Sequence, residues 1–266
     1  MKKFVVFFAI ALSAAACSVT KNSSSKIKFA NNPVVAHRGA YKLNGFPENS
    51  IASLQQAIKL KCTGSEFDVW MTADDSLVIH HDPDYNKLVI EKTNFDELRK
   101  YPLSNGEPLP SLREYLIAGK KDNKTTRLVL EIKPSKISKE RGIRVADKVI
   151  QLVHELNCTN LMAYISFDYD IMKHIHAIEP KAITQHLNGD IAPAALKADG
   201  ISGADYHFSV FAKNPAWITE AKKNNIQLNA WTVDDSTNMR LLLDSGFNFI
   251  TTNQPEMLFE ILKNRK

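Results

Sequence analysis

Three short stretches of this sequence set proton-moving, phosphate-binding and cation-binding side chains close together: His37-Arg38-Gly39, Glu66-Phe67-Asp68 and Glu131-Ile132-Lys133. A histidine moves protons near neutral pH. An arginine clamps a phosphate through two parallel hydrogen bonds, and a glycine lets the backbone come close to a ligand. If residues 66–68 form a strand, Glu66 and Asp68 share a face, because side chains alternate along extended backbone. Two carboxylates held side by side repel unless a cation lies between them. An all-oxygen ligand set suits Mg²⁺ or Ca²⁺. Glu131 repeats the geometry and can add a third oxygen, while Lys133 can neutralise a phosphate oxygen. Read singly, each stretch has a plainer alternative: an incidental basic turn, a surface acid pair bonded to lysines, or a buried Glu–Lys ion pair.

Three further stretches are candidates. In His80-His81-Asp82, adjacent residues of a strand face opposite sides, so only one histidine can enter a site. A transition-metal site is disfavoured, because the rest of the cluster is carboxylate and no cysteine accompanies it. Pro47-Glu48-Asn49-Ser50 leads into a helical pattern that Asn49 or Ser50 can cap, with Glu48 as local support. Trp231 ends a candidate strand, where it either walls the site or packs beneath it, and Phe208 and Phe211 either line the mouth or anchor a loop.

These residues need elements to position them. Short β-prone runs at 34–37, 65–69, 128–132, 161–166, 182–186, 200–204, 227–232 and 249–251 read as strands buried on both faces. Helical patterns alternate with them at 50–60, 140–156, 170–178, 193–198, 215–224, 236–245 and 255–263. Eight strands alternating with helices predict an α/β fold, a (β/α)8 TIM barrel, with its active site at the C-terminal strand ends. A short insertion after the second strand, over about 76–124, breaks the rhythm: an extra strand at 76–80, a short helix at 93–100, a loop at 102–110 and the regular helix from Ser111.

In this order and spacing the motifs resemble the glycerophosphodiester phosphodiesterase family, barrel-shaped phosphodiesterases related to phosphatidylinositol-specific phospholipase C. The resemblance rests on His37-Arg38-Gly39, Pro47-Glu48-Asn49-Ser50, Glu66-x-Asp68, His81-Asp82, Leu109-Pro110-Ser111-Leu112, Glu131-x-Lys133, Ser166-Phe167, Trp231-Thr232-Val233 and Gly246–Pro255, spanning about residues 33–258. It implies metal-dependent hydrolysis of a small glycerophosphodiester to glycerol phosphate and an alcohol. It implies one divalent cation, Mg²⁺ or Ca²⁺, on Glu66, Asp68 and Glu131. His37 and His81 would be the acid/base pair, with Arg38, Lys133, Glu48 and Trp231 around the substrate and phosphate. The chain departs from the family pattern at Ser50, where Thr is common, at Asp234, where Asn is common, and at Asn248 and Asn253, where Asp is usual. The last strand is therefore less acidic, which bears on substrate preference and on support of the site but leaves the triad intact. Two other readings are a surface-anchored protein that captures phosphate esters without turnover, and a related enzyme acting on intact phospholipids or sphingolipids.

The N-terminus reads as targeting. Met1-Lys2-Lys3, an apolar run from Phe4 to Leu12 and Ala14-Ala15-Ala16 precede Cys17, which resembles the bacterial lipoprotein signal. The expectation is a signal peptide at 1–16, lipidation of Cys17, a flexible tether over 17–32 and a phosphodiesterase barrel domain over 33–266. Such a protein would be exported to the bacterial cell envelope and meet a membrane only through its lipid anchor. The net charge of +5, which falls to +3 without residues 1–16, is too small and too scattered to indicate nucleic acid. Cys62 and Cys158 are expected as unpaired buried thiols.

Overall fold

The computed structural model describes residues 1–2 and 27–265. The expected signal peptide from Lys3, the lipidation site Cys17 and the tether up to residue 26 lie outside the described residues. Residues 27–32 do not behave as a spacer. Their backbone bonds to Lys124 and Thr125, Ile27 and Phe29 pack on the core, and the Phe29 ring lies 3.9 Å beneath the Arg127 guanidinium. Two apolar side chains in an otherwise polar segment account for the docking.

Eight parallel strands close on themselves: β1 (Val34–Ala36), β2 (Gly64–Met71), β3 (Arg127–Ile132), β4 (Met162–Ser166), β5 (Thr184–His186), β6 (Gly203–His207), β7 (Gln227–Trp231) and β8 (Phe249–Thr252). Each pairs with the next, and β1 pairs with both β8 (Val35↔Thr251) and β2 (Val35↔Gly64), which shuts the barrel. The strands lack polar/apolar alternation because both faces are covered, and all eight residues of β2 are buried. One face meets the surrounding helices. The other fills the interior with Val35, Val129, Ala163, Ile165 and Leu187.

The helices follow from local signals. Helix α1 (Ile51–Leu60) starts at Ser50, whose hydroxyl accepts from the Ser53 N–H, and α2 (Leu112–Lys120) starts with a reciprocal Ser111–Glu114 capping box. Helix α3 (Lys139–Glu155) is capped by Ser138. The insertion folds back onto the barrel. Leu77–Ile79 adds an antiparallel strand to the outer part of β2, and buried Glu91 binds the Ser135 hydroxyl, the Lys136 N–H and the Arg141 side chain. Glu107 caps the N-terminus of α1. Cys62 and Cys158 are buried and unpaired. Among the described residues no helix is long and apolar enough to cross a membrane.

The sixth strand departs most from the sequence reading. It runs over Gly203–His207, three residues later than the expected 200–204, and a short helix, Phe208–Lys213, follows it. Asp205 therefore lies inside the barrel. Phe211 packs against Tyr206 and Phe247 in the outer core, not at the mouth.

Candidate active site

At the C-terminal ends of the strands a cavity of about 100 Å³ is lined by His37, Arg38, Glu66, His81, Glu131 and Lys133 on one side. Ile165, Phe167, Leu187, Asp205, Trp231, Thr232 and Thr251 form the other side. A much larger cavity of about 620 Å³ opens at the opposite end of the barrel and contains none of these carboxylates. Of these two cavities the smaller one is the candidate site, because it brings acids, histidines and the cationic Arg38 and Lys133 together at the C-terminal strand ends.

Strand β2 aims Glu66 and Asp68 inward, both almost fully buried, and turns Phe67 out against Tyr115. Asp68 stands beside Glu131 of β3 in register. The carboxylate oxygens of Glu66, Asp68 and Glu131 come within 4.8 Å of one another. Lys133 Nζ lies 2.7 Å from Asp68 Oδ1 and 2.7 Å from Glu131 Oε1. These are ion pairs without hydrogen-bond alignment, and Glu66 Oε1 has no partner at all. The ammonium thus pairs with two of the three buried acids and not with Glu66. Burial, then the charges of Asp68 and Glu131, push the Glu66 carboxyl well above its usual range. Burial and Asp68 push Glu131 up to about 8. Burial works against ionised Asp68 as well, but Lys133, His81 and the amide of Asn49 hold it down at about 2. Lys133 is raised, because Asp68 and Glu131 outweigh its own burial. A buried, oxygen-only trio with unpartnered atoms and two displaced carboxyls fits a hard divalent cation.

The turn after β1 is built around that trio. Arg38 and Asn49 both adopt left-handed backbone (φ 53° and 59°). Such strain at non-glycine residues persists where surrounding bonds fix it. Here the Arg38 N–H donates to Glu66 Oε2 at 2.8 Å, and Asn49 clasps Asp68 twice, by Nδ2 to Oδ2 at 2.8 Å and by Oδ1 from the Asp68 N–H at 3.2 Å. Gly39 is also left-handed, and a Cβ there would clash with the side chain and backbone of Ser53. The Arg38 guanidinium donates to both Glu48 oxygens at 3.0 and 2.9 Å and lies 3.9 Å from Asp68. Burial opposes the Arg38 charge, but Asp68 and Glu48 raise its pKa. Glu48 does not line the cavity; it braces Arg38, as suits a carboxylate that would repel a phosphate.

The two histidines are oriented differently. The Asn253 amide donates from Nδ2 to Asp234 Oδ2 at 2.7 Å, so its Oδ1 faces His37 Nδ1 at 2.8 Å. An amide oxygen only accepts, so Nδ1 carries the proton and Nε2 keeps its lone pair, 3.9 Å from Glu66. Burial, with Arg38 beside it, pushes the His37 pKa down to about 4, which leaves a neutral proton acceptor. His81, about one-third exposed, bonds through Nδ1 to Asp82 at 2.7 Å, and its backbone carbonyl is held by the Trp70 indole. That bond to His81 keeps the Asp82 carboxyl below its usual range, so an imidazolium at His81 has a counter-charge. His80 turns away, toward Asp84 and Tyr85. Trp231 lines the cavity, edge-on to Phe167 and His207, with its indole N–H on the Asp205 carbonyl.

All three expected cation ligands, both histidines, Arg38, Lys133 and Trp231 therefore meet in one place. Sequence reading missed three residues. Asn49 passed as a helix cap, Asn253 was noted only as a departure, and Asp205 fell outside the expected strand.

The sequence matches the glycerophosphoryl diester phosphodiesterase family over residues 37–257. A crystal structure of a glycerophosphodiester phosphodiesterase from Parabacteroides distasonis superposes with a TM-score of 0.85 at 40% identity, covering 90% of this chain and 99% of that one. A glycerophosphodiester phosphodiesterase from Caldanaerobacter subterraneus is 28% identical over 247 residues, 86% of this chain and 97% of that protein. A phosphodiesterase from Oleispira antarctica, solved with the product sn-glycerol-3-phosphate, shares the fold with a TM-score of 0.74 at 21% identity, covering 87% and 97%. Family motifs in order over most of the chain, on a closed barrel that gathers them at its C-terminal face, show that this chain belongs to the glycerophosphoryl diester phosphodiesterase family.

Proposed function

We propose that the protein hydrolyses a glycerophosphodiester to glycerol phosphate and an alcohol, with one divalent cation held by Glu66, Asp68 and Glu131. The observation that carries this reading is the meeting of an under-neutralised carboxylate trio, two of whose members line one small cavity, with two histidines, Arg38 and Lys133. A cation held there supplies Lewis-acid polarisation of a phosphoryl oxygen. Arg38 and Lys133 add positive charge where negative charge develops on phosphorus oxygens. His37, neutral and with Nε2 free, takes a proton from the attacking water as its oxygen bonds to phosphorus. His81, backed by Asp82, returns a proton to the departing alcohol oxygen. Asn49 and the Arg38 N–H hold the carboxylates in place, and Trp231 with Phe167 walls the cavity on the far side.

The test is turnover of a glycerophosphodiester by single His37→Ala and His81→Ala variants, followed as glycerol phosphate released. Each imidazole removed is expected to lower the rate about 10²–10⁴-fold. Full turnover in the double variant would end the assignment. Stoichiometric capture of substrate by the unaltered protein, without product, would favour a binding protein instead.

A further inference from the structure

Asp205 has no part in the chemistry above, yet it lies in the same cavity. It sits on β6, four strands around the barrel from β2, so it faces the cation trio from the opposite wall. Its side chain is 1% exposed. Among the described residues no lysine, arginine or histidine pairs with it, and its Oδ1 has no hydrogen-bond partner. The Asn229 amide supports the carboxyl, but the other donors nearby are engaged elsewhere. The Trp231 indole N–H is taken by the Asp205 backbone carbonyl at 2.8 Å. The Thr251 hydroxyl exchanges hydrogen bonds with the side chain of Asn229. Leaving a buried carboxyl oxygen unpaired is costly, so its retention in a site calls for a donor that arrives with the ligand. The rest of that wall is Ile165, Leu187, Phe167 and Trp231, which suit carbon–hydrogen surface, with Thr232 and Thr251, and it offers a hydroxyl no other acidic acceptor.

We propose that Asp205 accepts a hydrogen bond from a hydroxyl of the substrate's glycerol unit, and so selects glycerol on that side of the phosphorus. This rests on the phosphodiesterase reading of the site. Size supports placing the glycerol inside: a cavity of about 100 Å³ suits a three-carbon unit. Beyond Phe167, which borders both spaces, a surface groove of about 300 Å³ runs over Lys139, Tyr169 and Asp190, where a variable alcohol group has room. The carboxyl's own state agrees. Burial outweighs the hydrogen bond from the Asn229 amide and pushes Asp205 up to about 7.

The experiment compares two substrates with p-nitrophenol as the common leaving group. One carries glycerol on phosphorus and the other n-propyl in its place, and both are assayed with the cation-loaded full-length protein. A site that bonds a substrate hydroxyl rejects the analogue lacking it by large factors, up to about 10⁴–10⁵. The unaltered protein is expected to favour glycerol by about 10²-fold or more in kcat/KM. Asp205→Ala is expected to lose about 10²-fold on the glycerol substrate and at most a few-fold on the propyl one, which collapses the preference. Asp205→Asn keeps an acceptor oxygen and should fall between, and it serves if the alanine variant melts early. Equal losses on both substrates, no loss on either, or an unaltered protein indifferent to the glycerol hydroxyls would overturn the assignment. So would a loss that followed choline or ethanolamine headgroups at constant glycerol, because it would give Asp205 to the other end of the substrate. If the unaltered protein turned over no glycerophosphodiester, the phosphodiesterase reading itself would fall, whatever the variants did.

Discussion

In the proposed mechanism His37 is the residue on which the proton chemistry turns, and its orientation comes from Asn253. Asn253 presents an oxygen to Nδ1 because its amide nitrogen is fixed on Asp234, so one carboxylate sets the imidazole tautomer through one amide. A neutral amide beside a buried imidazole leaves its pKa near 4. Asn253→Asp would put a negative charge there instead. That favours the imidazolium, raises the His37 pKa and disables the base up to a higher pH. The expected outcome is an acid limb of kcat/KM displaced to higher pH, read from a pH–rate profile. A displacement downward would contradict the tautomer assignment. At this scale the sequence was informative about residue types whose chemistry is rare in pairs. Glu66, Asp68, Glu131 and the His37-Arg38-Gly39 turn stood out because strand alternation and charge repulsion leave such a group few roles besides holding a cation and a phosphate. Asn49 and Asn253 did not stand out, because an asparagine near a helix start or strand end has many ordinary uses. Only the folded chain shows which carboxylate or imidazole each one meets.

Among the elements, the turn after β1 is the most constrained. It must place the Arg38 N–H on Glu66, let Asn49 reach Asp68 and pass Gly39 against α1. Gly39→Ala asks for left-handed backbone at an alanine and puts its Cβ 2.6 Å from the Ser53 backbone. The turn has to shift, at a cost of about 1–3 kcal/mol, and turnover should fall with it as the Glu66 contact is lost. Urea unfolding together with a turnover assay reads both, and an unchanged midpoint would contradict the geometry. Most elements were legible because both-face burial writes continuous apolar runs and hydroxyl caps mark helix starts. Strand β6 was not. Its inward positions are Gly203, Asp205 and His207, so an apolar-run criterion stopped at Ala204 and left the cavity-lining carboxyl outside. Function had replaced the barrel's usual aliphatic filling at that point. The docked residues 27–32 were hidden for the converse reason, with Ile27 and Phe29 isolated among polar residues.

For the molecule as a whole, the site is a source of instability that the proposed cation would relieve. Glu131 titrates near 8 in the fold and near its ordinary value of 4.5 once unfolded. Between those values the cation-free folded state holds a proton that the unfolded state has lost, so stability falls as pH rises through that window. A divalent cation displaces that proton, and its stabilisation must grow over the same range. At about 100 times its dissociation constant it adds about 2.7 kcal/mol, or about 5–10 °C in melting temperature for a domain of this size. The shift between chelator and cation should be large at pH 8.5 and small at pH 5.5, and a shift equal at both would contradict the shared-carboxylate picture. The central claim, a cation-dependent phosphodiesterase centred on Glu66, Asp68 and Glu131, meets its most direct test in glycerol phosphate release from a glycerophosphodiester after chelation and after restoration with Mg²⁺ or Ca²⁺. The account predicts activity abolished by chelator, recovered with one equivalent of bound cation, and not recovered in a Glu66→Gln, Asp68→Asn, Glu131→Gln variant that remains folded. Undiminished turnover in chelator, or in that variant, would contradict it.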